Sequence, residues 1–511
     1  MVKLIQYYSQ FFLIAAAFGG MLYFLWRARF NIWEEFKNLP SGYRVGLILL
    51  SVIPFICYCS FISPKHVMDD EAFYQFAARN VVYFGHLGDL SKSGGWAFLI
   101  FLGYAVAGIN NYVSLLISQM FGSLAILGIF FLTLWAGLSR ITALTAAVLF
   151  TFIPVRMFWA ATGESHTASV CFVIWAVAFT FLLYRDLDRN IFWLVFAVWT
   201  FAALVRIETL AVFFFFLLLL FVFVPVKKIR GLPLVSALLG MFIVLIPSMI
   251  SGAKFSLGNQ WVPSGSNISI DNFVQNAGTY GWMFLNGGIH PLSFSLTFLF
   301  GWLMLYLMDK KIALALGGWF VLMAVMYFSI WFHNYGTAPG IFLKTRLFIF
   351  FYPPLVVCAA CGIVWLSEKI LPHREILVSL ILCLMITVQM AGYYRNYPLN
   401  SHDFDLQMRV VDDVIDAMGP GNMLVSCLPE VFTGVAPRRI SSSGIQWFLQ
   451  EPEWRSMAFG KVNTVYLVDD IVGQRNCRDT VAEIKEKGHA VLRKEWVMDD
   501  TKYAMYSLSR F

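Results

Sequence analysis

The feature that most constrains this chain is a succession of apolar runs, each about 20 residues long, separated by short loops. A helix of that length crosses the hydrocarbon core of a bilayer with every backbone hydrogen bond satisfied internally. The sequence predicts about twelve such spans, over residues 8–26, 45–62, 112–136, 141–158, 167–184, 191–207, 209–225, 232–250, 291–308, 312–331, 346–366 and 376–393. The stretch from Trp96 to Ile109 is shorter and is set off by Gly94, Gly95 and Gly108, so it reads as re-entrant or interfacial. Composition agrees: 59% of the residues are hydrophobic, only 13% are charged, and 50 are Phe. No soluble core needs that much apolar surface. The first run, Phe11 to Trp26, is followed directly by Arg27 and Arg29 with no small-residue cleavage pattern, and reads as a retained span.

Charge tests the count. The net charge of +7 comes from basic residues in short loops, which argues for topology and against nucleic acid. Alternate loops carry Arg27, Arg29, Lys37 and Arg44; Arg140; Arg185 and Arg189; Lys227, Lys228 and Arg230; Lys310 and Lys311; Lys369 and Arg374. The positive-inside rule puts these on the cytoplasmic side. The outer side then receives Asp69–Glu71, Glu164–His166, Arg206–Glu208, residues 251–290 and 332–345, and everything after 394. A full span at 96–109 would break this alternation. Of the eight histidines, only His373 falls inside.

Two parts are expected. Residues 1–393 form an all-α polytopic membrane domain, and residues 394–511 a soluble extracytoplasmic α/β domain. In the second, Phe404 to Met418 reads as an amphipathic helix and Arg478–Lys487 as another. Strands are expected at Asn422–Leu428, Thr464–Ile471 and near 489–497 and 502–509, with turns at Gly419–Gly421 and Gly488. No glycine-rich nucleotide fingerprint follows a strand. Cys427 and Cys477 fall in this part; an outer location would permit a disulfide, and spacing alone leaves the pairing open. The other six cysteines lie in apolar runs as small buried hydrophobes, and Cys358-x-x-Cys361 inside a helix is a weak metal signal.

The chemistry-bearing residues gather on the outer side. Asp69, Asp70 and Glu71 precede a helical pattern in which Ala72, Phe73, Phe76 and Ala77 share a face and Gly85 supplies a stop. The helix suits the bilayer interface, and its dipole favours ionised acids at the N-terminus. Tyr74 lies one turn from Asp70 on the same face. Lys92 precedes Ser93-Gly94-Gly95, where backbone could approach a ligand closely. Glu164 and His166 occupy a short Gly-Glu-Ser-His connection, Arg206 and Glu208 a tight hairpin turn, and Arg346 the mouth of a helix continuing to Pro353-Pro354. Each has a plainer reading. The three acids suit a helix N-cap; Lys92, Arg206 and Arg346 suit snorkelling anchors. His66, His86, His166, His290 and His333 match no metal-ligand spacing. As a set, cations beside carboxylates fit a reaction with an anionic leaving group and a nucleophile that must lose a proton.

These residues resemble those of the polytopic GT-C glycosyltransferases, in particular the protein mannosyltransferase-like and aminoarabinose transferase-like members. Those enzymes carry an acidic D-E-x-x-[Y/F] motif in the first outer loop, matched by Asp70-Glu71-Ala72-Phe73-Tyr74. A Lys-Pro-Pro of the aminoarabinose branch is reduced here to Lys92-Ser93-Gly94. Glu164 matches an acid in the short second outer loop, Arg206 a later basic hairpin residue, and Arg346 through Pro354 an R-Y-x-x-P-type helix mouth. The resemblance implies a polyprenyl- or dolichyl-phosphate sugar donor and inverting transfer outside the membrane, and leaves the acceptor open among lipid, polysaccharide and protein. Asp70 and Glu71 would be catalytic, and Lys92, Arg206 and Arg346 would bind the donor phosphate. Tyr74, Glu164, His166 and Glu208 would position substrate, with Glu71, Tyr74, Glu164 and His166 the residues to hold a divalent ion if one is used. A bacterial inner membrane is the expected location. The rival classes are a transporter or flippase for a lipid-linked sugar and a ligase of lipid-linked oligosaccharide.

Overall fold

The computed structural model describes residues 2–60, 69–85, 87, 94–110, 112–229, 231–258, 269–281, 290–329 and 347–394. Beyond these it describes 422–426, 441–444, 464–469, 490–498 and 501–508, with Val414, Ala417, Met418, Ile484 and Glu486. Among them the fold is mainly helical. In chain order the helices are α1 (Val2–Lys37), α2 (Ser41–Ser60), α3 (Asp69–Phe84), α4 (Gly95–Ala107), α5 (Tyr112–Trp135), α6 (Arg140–Thr151), α7 (Pro154–Ala160), α8 (Ser165–Asp186), α9 (Arg189–Val205) and α10 (Thr209–Phe223). There follow α11 (Val226–Ile229), α12 (Leu234–Gly258), α13 (Ile270–Asn276) with a π-turn at Ala277–Gly281, α14 (Leu292–Met308), α15 (Lys310–Ser329), α16 (Tyr352–Ile370) and α17 (Glu375–Tyr394).

Every predicted span coincides with one of these elements. Among the described residues, six helices are long and apolar enough to cross a bilayer unaided: α1, α5, α8, α15, α16 and α17. Helices α6 and α7 meet the same measure only as a pair, bent by 63° at the break between them, and the shorter apolar helices α2, α9, α10, α12 and α14 coincide with the other predicted spans. Helix α4 has 13 residues, or ~20 Å at 1.5 Å per residue, too short for a core of ~30 Å. Large apolar side chains point outward along the bundle, among them Leu239, Ile243, Leu296, Leu307, Leu384 and Val388. Lipid is the solvent that makes such a surface stable, and the chain is an integral membrane protein.

The chain divides into two compact units. The first comprises residues 1–62, 84–99 and 115–398. Its centre is α8, buried along its length except at Trp175, Arg185 and Asp186. Small residues allow close helix approach: Ile174 and Trp175 of α8 fill the space a side chain at Gly128 of α5 would need. The tightest crossing is α14 on α16, where a Cβ at Gly301 would lie 1.8 Å from the Cys358 carbonyl oxygen. Cys358 and Cys361 are buried free thiols beside it. Gly301→Ala should therefore cost about 1–3 kcal/mol or more, as overpacking does. Thermal unfolding of the detergent-solubilised protein measures it; an unchanged midpoint would mean the two backbones do not meet there.

The second unit comprises residues 63–83, 100–114 and 399–511. It contains a five-stranded sheet of β1 (Met423–Ser426), β2 (Ser441–Gly444), β3 (Val465–Asp469), β4 (Ala490–Met498) and β5 (Thr501–Leu508), in spatial order β2-β1-β3-β5-β4. The first three are parallel, and β5 runs antiparallel to β3 and β4. Strands β1, β3, β4 and β5 stand where the sequence predicts them. Strand β2, Ser-Ser-Ser-Gly, was not predicted: it has no apolar alternation, and its strand state comes from pairing with β1. The predicted helices at 404–418 and 478–487 lie almost wholly outside the described residues, as do Cys427 and Cys477.

Candidate active site

The first unit brings four of the predicted site residues together. Helix α9 ends at Val205 because Arg206 turns to extended backbone (φ −150°, ψ 118°). Its amide still donates to Ala202 O, while Thr209 Oγ1 donates to Arg206 O at 2.9 Å and opens α10. The side chain of Arg206 is thereby presented at a helix end, 19% exposed. Glu208, two residues on, accepts from Arg206 Nε at 2.7 Å and also from Nη2.

On its other side Arg206 meets the Gly-Glu-Ser-His turn. Arg206 Nη1 lies 2.7 Å from His166 Nε2. An arginine only donates, so Nε2 must be the acceptor, which makes the ring neutral with its proton on Nδ1. That nitrogen faces Glu164 Oε2 at 3.4 Å. Glu164 is the N-cap residue of α8, yet its carboxylate makes no capping bond; it turns toward the histidine instead. Glu164 and His166 are both buried. The order Glu164–His166–Arg206–Glu208 places one guanidinium between an imidazole and a carboxylate, with a second carboxylate behind the imidazole. Burial and the fork geometry of the guanidinium hold it in one orientation.

Tryptophans fix the turn that carries this set. Trp96 Nε1 donates 2.8 Å to Gly163 O, and the Trp159 ring centroid stands 5.7 Å from that of His166. Gly95 explains why α4 can start here: a Cβ on it would sit 2.7 Å from the Leu204 carbonyl, two residues before Arg206. The close approach expected of Gly94-Gly95 is made to the end of α9. Neither tryptophan stands out in a chain so rich in aromatics.

Arg156 was also missed. It is buried at the break between α6 and α7, where Pro154 opens the second helix. Nη1 donates to Thr151 O at 2.9 Å, Nη2 donates to Gly122 O, and the guanidinium lies 4.9 Å from the Phe150 ring centre. The signal that finds it is a charged residue behind a proline inside a predicted span. His290 is wholly buried between Tyr352 Oη (3.0 Å) and Ser295 Oγ (2.8 Å) and joins the first turns of α14 and α16. Among the described residues no three His, Cys, Asp or Glu side chains are grouped to hold a metal.

In the second unit, α3 starts at Asp69, so Asp70 and Glu71 occupy its first turn as the sequence predicts. It stops at Phe84, and Gly85 follows at φ +74°, a left-handed conformation that favours glycine. Tyr74 is buried. Further along, Gln75 Nε2 donates to Ser114 Oγ at 2.9 Å and Arg79 Nη2 to Gln75 Oε1 at 3.1 Å, which registers α3 against the start of α5. Gln75 and Arg79, spaced four apart, share one helix face. Lys92 and Arg346 lie outside the described residues, as do His66, His86 and His333.

No protein-family model matches the chain, and no curated protein sequence does. The fold does have solved counterparts. ArnT from Cupriavidus metallidurans in the apo state matches at a TM-score of 0.57 and 13% identity, over 91% of this chain and 98% of that one. The same protein bound to undecaprenyl phosphate matches at 0.56 and 12%, over 92% and 98%. The Archaeoglobus fulgidus oligosaccharyltransferase AglB, in complex with an inhibitory peptide and a dolichol-phosphate, matches at 0.50 and 12%, over 92% and 75%. The chain has the GT-C fold: a polytopic helical membrane domain with C-terminal strands.

Proposed function

We propose that this protein is an inverting glycosyltransferase that moves a monosaccharide from a polyprenyl-phosphate donor to an acceptor hydroxyl at the outer face of a membrane. The observation that carries the reading is Arg206, a guanidinium held at a helix end by His166 and Glu208 within a GT-C fold. Solved proteins of that fold are recorded with undecaprenyl phosphate and with a dolichol-phosphate. A lipid phosphate leaving from an anomeric carbon gains negative charge, and a fixed cation stabilises it more than the ground state.

In this reading the acceptor oxygen attacks the anomeric carbon as the bond from that carbon to the phosphate oxygen breaks. Configuration inverts, and polyprenyl phosphate departs with the bonding pair. Asp70 takes the acceptor proton. Arg206, with Lys92 and Arg346, neutralises the departing phosphate. Glu71, Tyr74, Glu164, His166 and Glu208 position sugar and acceptor. Residues 394–511 form the α/β domain on the same outer face, and a bacterial inner membrane supplies both donor and acceptor, the latter a lipid, polysaccharide or protein. The likeness to an oligosaccharyltransferase favours one second reading, transfer of a whole oligosaccharide from a lipid carrier.

The test is to incubate the purified protein with a panel of radiolabelled polyprenyl-phosphate sugars and measure enzyme-dependent release of free polyprenyl phosphate. Release supports transfer and identifies the sugar. Label crossing a proteoliposome bilayer without donor consumption would establish a transporter instead. Turnover of lipid-linked oligosaccharide alone would move the assignment to the ligase.

A further inference from the structure

Helix α1 is longer than its membrane role requires. Its 36 residues extend ~54 Å at 1.5 Å per residue, against a hydrocarbon core of ~30 Å. The apolar run ends at Trp26, and the helix continues through Arg27 to Lys37. Ring contacts orient it: Phe18 meets Phe201 at 5.2 Å and Phe24 stacks on Trp193 at 6.0 Å, so α1 runs antiparallel to α9. The Lys37 end therefore lies by the start of α9, at the opposite end of that helix from Arg206.

That end carries a groove of about 500 Å³, within the ~300–1,000 Å³ of small-molecule sites. Leu25, Arg29, Phe30, Trp33 and Phe36 of α1 line it, with Phe131 of α5 opposite. Trp26, Phe30 and Trp33 expose 63%, 60% and 51% of their surface, a stripe at helical spacing just past the apolar run. Aromatic side chains at that level occupy the headgroup region. The walls are otherwise apolar, and the cations stand at its aromatic rings. The Arg29 guanidinium lies 3.5 Å from the Trp26 ring centre and 4.2 Å from that of Phe30, and Lys37 Nζ lies 5.5 Å from that of Trp33. Arg29 Nη1 donates to Trp26 O at 2.6 Å, one of the five N–H groups of a guanidinium. Among the acids at this end, Glu35 and Asp186 are bonded to Arg185 at 2.6 and 2.8 Å, and Glu34 is exposed.

An apolar groove at headgroup depth, rimmed by positive charge, is complementary to a molecule with a hydrocarbon chain and a phosphate. We propose that it binds an anionic phospholipid, one acyl chain along Phe30, Trp33 and Phe131 and the phosphate on Arg29. The site is separate from the Arg206 cluster and independent of the proposed transfer reaction. Walls on two helices make the lipid a brace between α1 and α5.

Native mass spectrometry of the detergent-solubilised full chain, titrated with phosphatidylglycerol and with phosphatidylcholine of the same acyl chains, tests it. One phosphatidylglycerol should bind about fivefold more tightly than phosphatidylcholine, the share expected of one basic residue at a membrane surface. Arg29→Gln should abolish that preference, and Trp33→Ala should weaken both lipids. Equal binding of the two by the wild type, or an undiminished preference in a folded Arg29→Gln protein, overturns the proposal. A photoactivatable phosphatidylglycerol on the wild-type chain gives an answer independent of variant folding. Crosslinks within 25–36 or at Phe131 support the site; crosslinks confined elsewhere, or a second copy of the chain covering this face, refute it.

Discussion

Asp70→Asn should lower turnover of the polyprenyl-phosphate donor by about 10²–10⁴-fold, the usual contribution of a positioned general base. Asparagine keeps the size of the side chain and one acceptor oxygen, and it serves as well as aspartate at a helix start. What it loses is the capacity to take a proton. Helix α3 is anchored elsewhere, through Gln75 on Ser114 and Arg79 on Gln75, so thermal unfolding should be unchanged. The informative comparison is with Glu71→Gln on the same turn. If Asp70 is the base, the two variants separate, with Glu71→Gln losing affinity for substrate more than turnover. Near-wild-type turnover in Asp70→Asn would remove the base from this position and with it the mechanism.

Arg206→Met should cost about 10²–10³-fold in kcat, the loss expected when one charge-stabilising donor is removed from a leaving group. Its partners argue for a competing role, because a guanidinium bonded to Glu208 and His166 could serve only to join the α8 and α9 ends. Two measurements separate these readings. A structural role lowers the unfolding midpoint and leaves turnover per folded molecule intact; a phosphate-binding role does the reverse. Arg206→Lys sharpens the comparison, since lysine keeps the charge but loses the two-pronged geometry that engages Glu208. An intermediate kcat for lysine with a normal midpoint is the expected pattern. The loss of a partly exposed ion pair matters little to stability by itself, as Glu208 is 23% exposed and can be hydrated.

Much of this molecule follows from local rules. The spans are legible because apolar length is read directly from the chain, and the acids at the start of α3 with Gly85 at its end follow from capping and backbone preference. Four of the five strands stand in apolar segments between turn residues. The fifth, β2, shows the limit: three serines and a glycine form a strand because β1 lies beside them, which no window of local sequence contains.

The candidate site divides the same way. Residue types and the turns that hold them were legible: Glu164 and His166 in one connection, Arg206 and Glu208 in another. That His166 and Arg206 meet 2.7 Å apart, across 40 residues of chain, was not. Their meeting fixes the imidazole as neutral with its proton toward Glu164, a chemical state that composition cannot specify. The roles of Trp96, Trp159 and Arg156 were hidden for a related reason. An aromatic or a buried arginine acquires its function from what faces it, and what faces each of these is another helix.

By itself, then, the sequence determined that the chain lies in a membrane, where its apolar helices fall, and which polar residues stand at the helix ends, because hydrophobic length, charge and capping act over one or two turns. Only the tertiary structure decided which of those ends meet, how α6 breaks from α7 around Arg156, and that Gly301 must lack a side chain. Those outcomes depend on contacts between helices distant in sequence, and the energy of such contacts resides in the pair.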